Sequence, residues 1–357
     1  MKKSLKLLVL SIITLFCISL VACGSSSSSS TGGGSNEGQQ VAGSDSSATA
    51  DDTVYQITYA GTVPDSHPVI LSMNEVAEEM LEASNGRLVM TVYPNNQLGD
   101  SRANLEAMQD GTIQCGEVST APMSIFTNNY QPLSLPFFFK DYEQTLEWTK
   151  GDFAAALAEK TAEECGFFPL TFALSGARTL TNSTRTVSTP TDMAGLKIRV
   201  MENDIYIKAF EAMGAAATPM SYAEVFTGLQ QKTIDGQDNP VIINVTNAYY
   251  EVQNYWTDLN HTIDVAPIVV SADWYYDLPE DLRVIFTDCM EKGADRIWEE
   301  VAENEAEARK VMEENCEVTY LTDEQRAVFK ETCEPVYEWF ATQYPDVNMD
   351  EFMASLN

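Results

Sequence analysis

Between Cys165 and Met201 the chain carries Arg178, Arg185, Lys197 and Arg199 against a single acid, Asp192, although the whole protein has only 21 basic side chains against 53 acidic ones. Such a local cationic patch suits a small carboxylate. A bidentate guanidinium–carboxylate pair acts at contact, whereas repulsion from the acidic surface is screened over roughly 8 Å of physiological salt. Arg199 falls at the carboxyl end of a strand expected over 196–200, and Arg178 just after one expected over 167–175. Asn239 follows a strand expected over 233–237, and the loop 62–67, ending in His67, follows the first strand. In open α/β sheets ligands bind beyond the carboxyl ends of strands, so these residues should converge on one crevice. Tyr222, directly after Pro219-Met220-Ser221, opens a helix there and can supply an aromatic wall.

No catalytic constellation accompanies the patch. The sequence contains no HExxH, no GxSxG, no glycine-rich phosphate loop followed by Lys-Ser/Thr, no GxGxxG after a strand and no CxxC, so neither an enzymatic activity nor a cofactor is expected. With two histidines, His67 and His261, a multi-histidine metal centre is impossible, and each reads as an exposed or helix-capping residue rather than a lone base. A formal charge of −32 sets the chain against DNA, RNA and anionic lipid alike.

The elements that must hold these residues alternate. From Thr53 onward the hydrophobic period switches between two and about 3.6, the mark of an α/β chain. Strands are expected near 54–60, 88–93, 112–118, 167–175, 196–200, 215–218 and 233–237, with a strand pair within 259–271. Helices are expected near 69–84, 102–110, 142–164, 203–213, 221–231 and 240–253. Residues 280–316 form one long helical run, far beyond the ~11-residue average and long enough to span two lobes. Some 300 ordered residues make two lobes the natural expectation.

The N-terminal residues read as an address. Lys2, Lys3 and Lys6 precede an uncharged run over residues 7–22, short for a bilayer span and right for a signal-peptide core. Leu20-Val21-Ala22-Cys23 resembles the bacterial lipobox, so residues 1–22 are expected to be a lipoprotein signal peptide and Cys23 the lipidated residue. Its removal takes three lysines and no acid, leaving 18 basic against 53 acidic side chains, a formal charge of −35. Residues 23–52, rich in serine and glycine, should be a lipid-anchored tether. The other cysteines, Cys115, Cys165, Cys289, Cys316 and Cys333, are odd in number, so bridges are not required, though Cys316 and Cys333 could pair if their helices touch.

Over residues 189–240 the wording becomes specific: Gly195-Leu196-Lys197-Ile198-Arg199-Val200, Met213-Gly214-Ala215, Thr218-Pro219-Met220-Ser221-Tyr222-Ala223-Glu224-Val225, Leu229-Gln230-Gln231 and Ile234-Asp235-Gly236-Gln237-Asp238-Asn239-Pro240 follow in order. Pro94 with Gln97-Leu98-Gly99, Asp110-Gly111-Thr112-Ile113, Leu135-Pro136-Phe137 and Asn260-His261 extend the match over about 54–345. The chain resembles the extracytoplasmic solute-binding proteins of tripartite ATP-independent periplasmic (TRAP) transporters, the DctP-like family. The resemblance implies capture of an organic anion and its delivery to a membrane permease driven by an ion gradient, with no nucleic acid partner. It gives Arg199 the ligand carboxylate, Arg178 and Asn239 ligand orientation, and Tyr222 a packing face over the ligand. An acid that some sialic-acid binders carry after the Asp-Gly-Thr-Ile strand falls near Ser119 here, which argues against sialic acid. A sugar acid such as a uronate or aldonate fits best, with His67, Ser119, Asp238 and Asn239 available for hydroxyls, and a C4-dicarboxylate comes next. The resemblance also implies a periplasmic-binding-protein-like fold of two α/β lobes, 53–175 with 265–304 and 176–264 with 305–357, closing on the ligand around a long inter-lobe helix. A lipoprotein that senses ligand and presents its closed form to a membrane receptor is the alternative role.

Overall fold

The computed structural model describes residues 53–356. The expected signal peptide, tether and lipidation site at Cys23 lie outside the described residues. Ten strands follow one another: β1 (Tyr55–Ala60), β2 (Leu88–Tyr93), β3 (Cys115–Glu117), β4 (Phe167–Asn182), β5 (Lys197–Val200), β6 (Ala216–Pro219), β7 (Gly236–Pro240), β8 (Tyr255–Thr257), β9 (Ile263–Ser271) and β10 (Glu317–Thr319). They pair in the order β2-β1-β3-β9-β4-β7-β5-β6, with β8 also on β4 and β10 on β8. The β2-β1-β3 and β7-β5-β6 groups are parallel, while β9 and β4 run antiparallel to their neighbours.

One strand joins the two groups. Residues 167–177 of β4 pair with β9, and residues 178–182 pair with β7, so the partner changes between Ala177 and Arg178. The strand therefore runs seven residues past its expected end at 175, and Arg178 lies inside it rather than after it. Ser175-Gly176 looks like a stop because glycine weakens a strand. Here Gly176, at φ 120°, instead absorbs a register shift between Leu174 and Gly176, and the strand continues. A similar correction applies to β7, which covers 236–240 and so contains Asn239 instead of preceding it. All five of its residues are buried, so the polar run Gln237-Asp238-Asn239 shows no hydrophobic period and is held by side-chain hydrogen bonds instead.

Helix boundaries shift where glycine or local turns intervene. The run 142–164 is two helices, Tyr142–Thr149 and Asp152–Cys165, with Gly151 as the N-cap of the second. The stretch 221–231 is a 3₁₀ turn, Tyr222–Glu224, followed by the helix Val225–Gln230. The stretch 240–253 is the helix Val241–Thr246 and a 3₁₀ turn, Tyr249–Glu251.

The long helix runs from Glu280 to Asn315 and packs against β4, the helix Pro68–Ala83 and the helix Val241–Thr246. Near its middle Gly293 lets the helix Pro68–Ala83 approach closely: a Cβ there would come within 2.5 Å of Val76 Cγ2, and the Gly293 carbonyl accepts a bond from the Ser72 hydroxyl. One turn on, Trp298 Nε1 donates to the Phe172 carbonyl of β4 at 2.8 Å, filling that donor's need as it is buried. Farther along, Arg309 bonds both Glu305 and Asp258, tying the helix to the loop after β8. All five cysteines among the described residues are thiols. Cys316 donates to the Gln253 carbonyl, so the Cys316–Cys333 pairing does not form. No described helix is long and apolar enough to cross a membrane.

Candidate ligand-binding cleft

A cavity enclosing about 810 Å³ of empty space, its open mouth included, lies between the two sheet groups. From the first group come Thr62 and Val63 after β1, His67, Glu117 at the end of β3, and Ser119. From the second come Arg199 of β5, Met220 to Tyr222 after β6, and Asn239 and Ile243. Arg178 and Asp264, at the crossing of β4 and β9, form part of the wall. Ser221 Oγ donates to Asp100 at 3.4 Å beside the cavity, and away from it Asn203 Nδ2 donates to Gln131 at 2.9 Å, so elements on the two sides also touch each other directly.

The two arginines have different environments. Arg199 is 2% exposed, and its Nε and Nη2 both donate to the Met220 carbonyl, at 2.9 and 2.8 Å. Its Nη1 has no partner among the described residues, and no carboxylate lies within ion-pair distance of it. Burial lowers its affinity for the proton, although a guanidinium stays charged, so this is a buried cation short of a counter-ion. Arg178, equally buried, donates from Nε to Asp238 Oδ2 at 2.7 Å, from Nη1 to Asp264 Oδ2 at 2.8 Å, and from Nη2 to the Asp238 carbonyl and Asn239 Oδ1. Burial opposes its charge, but Asp238, Tyr206 and Asp264 outweigh burial and hold its proton more tightly than usual. The same balance splits its partners. For Asp238 burial is overcome by Arg178 and His261, and the carboxyl stays well below its ordinary range. For Asp264 burial outweighs Arg178 and Ser119, and the carboxyl is raised.

The other expected residues distribute themselves around this pair. Asp238, expected to meet ligand hydroxyls, does not line the cavity: it sits behind Arg178, with its Oδ2 also 3.4 Å from His261 Nε2. The reason is charge pairing, since a buried guanidinium demands a carboxylate at contact. Asn239 lines the cavity, but its amide is engaged, accepting from Arg178 and donating to Gln237. Ser119 donates its hydroxyl proton to Asp264 at 2.9 Å, leaving oxygen lone pairs toward the cavity wall. Tyr222 lines the cavity with its hydroxyl accepting from Asn247 at 2.7 Å. His67 caps the helix Pro68–Ala83, its Nδ1 accepting from the Val69 amide at 3.3 Å. That bond assigns the ring proton to Nε2, which is buried and unpartnered among the described residues. Burial lowers the His67 pKa to about 4, so the ring is neutral.

Glu117 escaped the sequence reading. It is 2% exposed and lines the cavity. Its Oε1 accepts from the Thr62 amide at 2.5 Å, the Thr62 hydroxyl at 2.9 Å and the Val63 amide at 3.2 Å, while Oε2 has no partner among the described residues. A charged residue inside the otherwise buried strand over 115–117 was the available signal, as was Asp264 within the apolar run of β9. Glu117 precedes Ser119 by two residues, so the cavity contains an acid, though not at the position that the resemblance marks for sialic-acid binders.

Burial pushes the Glu117 carboxyl up to about 7, against the hydrogen bonds from Thr62 and Val63 that pull it down. Between the ordinary value of 4.5 and 7 the folded state holds a proton that the unfolded chain has lost, so ligand-free stability falls as pH rises across that window. Glu117→Gln lacks this loss. Its stability relative to wild type should grow by about 3 kcal/mol between pH ~4 and pH ~8, read by urea denaturation of the ligand-free proteins. A difference that stays constant with pH would show that the carboxyl is ordinary.

Two sheet groups sharing one crossing strand, a long helix packed on that strand and a cavity lined from both sides with a buried cation are the architecture of a solute-binding cleft. The chain matches the bacterial extracellular solute-binding protein family 7, DctP, over residues 59–343 and belongs to that family, the extracytoplasmic binding proteins of TRAP transporters, which bind solutes and are not enzymes. It is 32% identical over 304 residues to the C4-dicarboxylate-binding periplasmic protein DctP of Vibrio cholerae, covering 83% of this chain and 88% of that one. The sugar acid binding protein of Advenella mimigardefordensis, solved in complex with galactonate, superposes with a TM-score of 0.81 at 26% identity, over 85% of this chain and 97% of that one. A TRAP periplasmic solute binding protein of Shewanella oneidensis with bound succinate gives a TM-score of 0.80 at 26% identity, over 85% and 98%.

Proposed function

We propose that this protein captures an organic anion outside the cytoplasmic membrane, a sugar acid such as a uronate or aldonate first and a C4-dicarboxylate next, and delivers it to a TRAP permease. The observation that carries the reading is Arg199: a buried guanidinium with Nη1 unpartnered among the described residues and no carboxylate of its own, set in a cavity lined from both sheet groups. A ligand carboxylate supplies the missing counter-ion, and the desolvation cost of Arg199 is already met in the empty protein. The galactonate complex of the Advenella relative and the succinate complex of the Shewanella relative support the ligand class.

Of the lobe limits 53–175 with 265–304 and 176–264 with 305–357, the one at 175/176 lies close to the partner change of β4 at Ala177/Arg178, whereas the last helix, Met349–Ala354, packs on Trp148 and Phe153 of the first lobe. A ligand touching both lobes binds the closed arrangement better, shifts the population toward it, and so makes lobe closure the shape the permease reads. Residues 1–22 are removed on export in this reading, and a lipid on Cys23 with the tether 23–52 holds the domain at the membrane surface.

Titration of the purified domain with uronates, aldonates and C4-dicarboxylates, followed by thermal unfolding, tests the reading. A true ligand at ~100 times its Kd adds about 2.7 kcal/mol of stability. If no carboxylate in such a series raises the midpoint, organic-anion capture is wrong.

A further inference from the structure

Three polar ends in the cavity are buried and have no partner among the described residues: Arg199 Nη1, Glu117 Oε2 and His67 Nε2. They differ in kind. The first is a cationic donor, the second belongs to a carboxyl and the third is a neutral N–H donor. The other cations along the wall have carboxylates of their own, Arg178 with Asp238 and Asp264, and Arg102 with Glu106. One ligand carboxylate therefore finds a counter-ion, and a second does not. A second carboxylate would meet Glu117 or Asp264 in a site closed to water, where an unpaired anion is costly. A hydroxyl, which both donates and accepts, satisfies a carboxyl oxygen and an imidazole N–H at once.

We infer that Glu117 is the residue that sets ligand class, taking a hydroxyl of a polyhydroxy monocarboxylate whose carboxylate sits on Arg199 and turning away the matching dicarboxylate. This rests on the assignment of Arg199 to the ligand carboxylate. The oxygen that Glu117 offers is held in place because its other oxygen is fixed by the Thr62 and Val63 donors. Tyr59, whose buried hydroxyl interacts with the Glu117 carboxyl although no hydrogen bond of ordinary geometry joins them, and Tyr222 also face Glu117, and both have pKa values raised by burial, so Glu117 is the group there that ionises near neutrality.

Isothermal titration at about pH 8, where Glu117 is ionised, compares wild type, Glu117→Gln and Arg199→Ala against paired probes: D-gluconate with D-glucarate, and D-galactonate with galactarate. Wild type should bind at least one aldonate on the order of 100-fold tighter than its aldarate, the cost of an unpaired buried carboxylate. In Glu117→Gln the ratio should shrink to about 10-fold or less, mostly by gain of aldarate binding, and Arg199→Ala should lose both probes. An unchanged ratio in Glu117→Gln overturns the inference, and so does an aldarate bound by wild type as tightly as its aldonate. D-Glucosaminate bound more tightly than D-gluconate would also overturn it, because Glu117 would then be pairing an ammonium. The wild-type ratio stands as a test even if Glu117→Gln fails to fold. If wild type binds succinate through Arg199 but no hydroxylated monocarboxylate, the Glu117 assignment fails while the Arg199 reading survives. Failure to bind any of these acids removes the Arg199 reading itself.

Discussion

Arg199→Ala should weaken the best ligand by on the order of 100-fold or more, roughly 3 kcal/mol, while leaving the ligand-free protein about as stable as wild type. The two halves of this expectation have separate causes. In the complex, the substitution strands a ligand carboxylate in a buried site with no other unpaired cation among the described wall residues, since Arg178 and Arg102 already hold acids. In the empty protein, it removes a buried charge that has no counter-ion and is penalised by desolvation. Against that gain stands the Met220 carbonyl, which loses two donors and costs about 1–3 kcal/mol if left unsatisfied. Calorimetric titration measures the first half and urea denaturation the second. Undiminished binding would take the ligand carboxylate away from Arg199, whereas a collapse of the empty protein would make Arg199 a structural residue.

Arg178→Ala should do the reverse, costing about 3–5 kcal/mol of stability before any ligand is added. Its guanidinium is the partner of two buried acids, and its removal leaves Asp238 and Asp264 facing each other without a cation. The pH dependence has a definite sign. In wild type Asp238 is held below its ordinary range, so its contribution is present above the unfolded value of about 3.9 and lost as pH falls. Without Arg178 the two buried carboxyls become easier to protonate, so acid relieves the variant at pH values above about 4, where the wild type still holds its Asp238 contribution. The stability gap should therefore be widest near neutrality and narrow as pH is lowered toward about 4. Denaturant midpoints of both proteins across that range decide it, and a gap that widens in acid would mean that Arg178 does not hold Asp238 ionised.

Much of this architecture was legible before folding. The alternation of periods two and 3.6 located β1, β2, β3, β5, β6 and the start of β4, because a strand or helix with one buried face writes that face into consecutive residues. The same signal missed β8 and β10 and expected a strand pair within 259–271 where the single strand β9 lies. It failed at β7, whose residues are buried on every side and polar, and at the end of β4, where Gly176 has the composition of a stop and the conformation of a bulge. The long helix was readable almost to the residue, 280–316 expected and Glu280–Asn315 found, since no glycine cap or proline interrupts it. Glu117 went unread because in a chain with 53 acids its one mark, a place inside a short buried strand, is faint beside the many surface carboxylates.

By itself the sequence determined the α/β class, the family and the position of Arg199 at a strand end, all properties carried by residues adjacent in the chain. Only the tertiary structure decided what each arginine meets. Asp238 and Asp264, the acids that claim Arg178, lie 60 and 86 residues away from it, and they reach it because β4 pairs with β7 on one side and β9 on the other. Charge pairing in a buried site is a contact property, fixed by which strands become neighbours, so two arginines that look alike along the chain end in opposite surroundings: one held by two carboxylates and the other with none within ion-pair distance among the described residues.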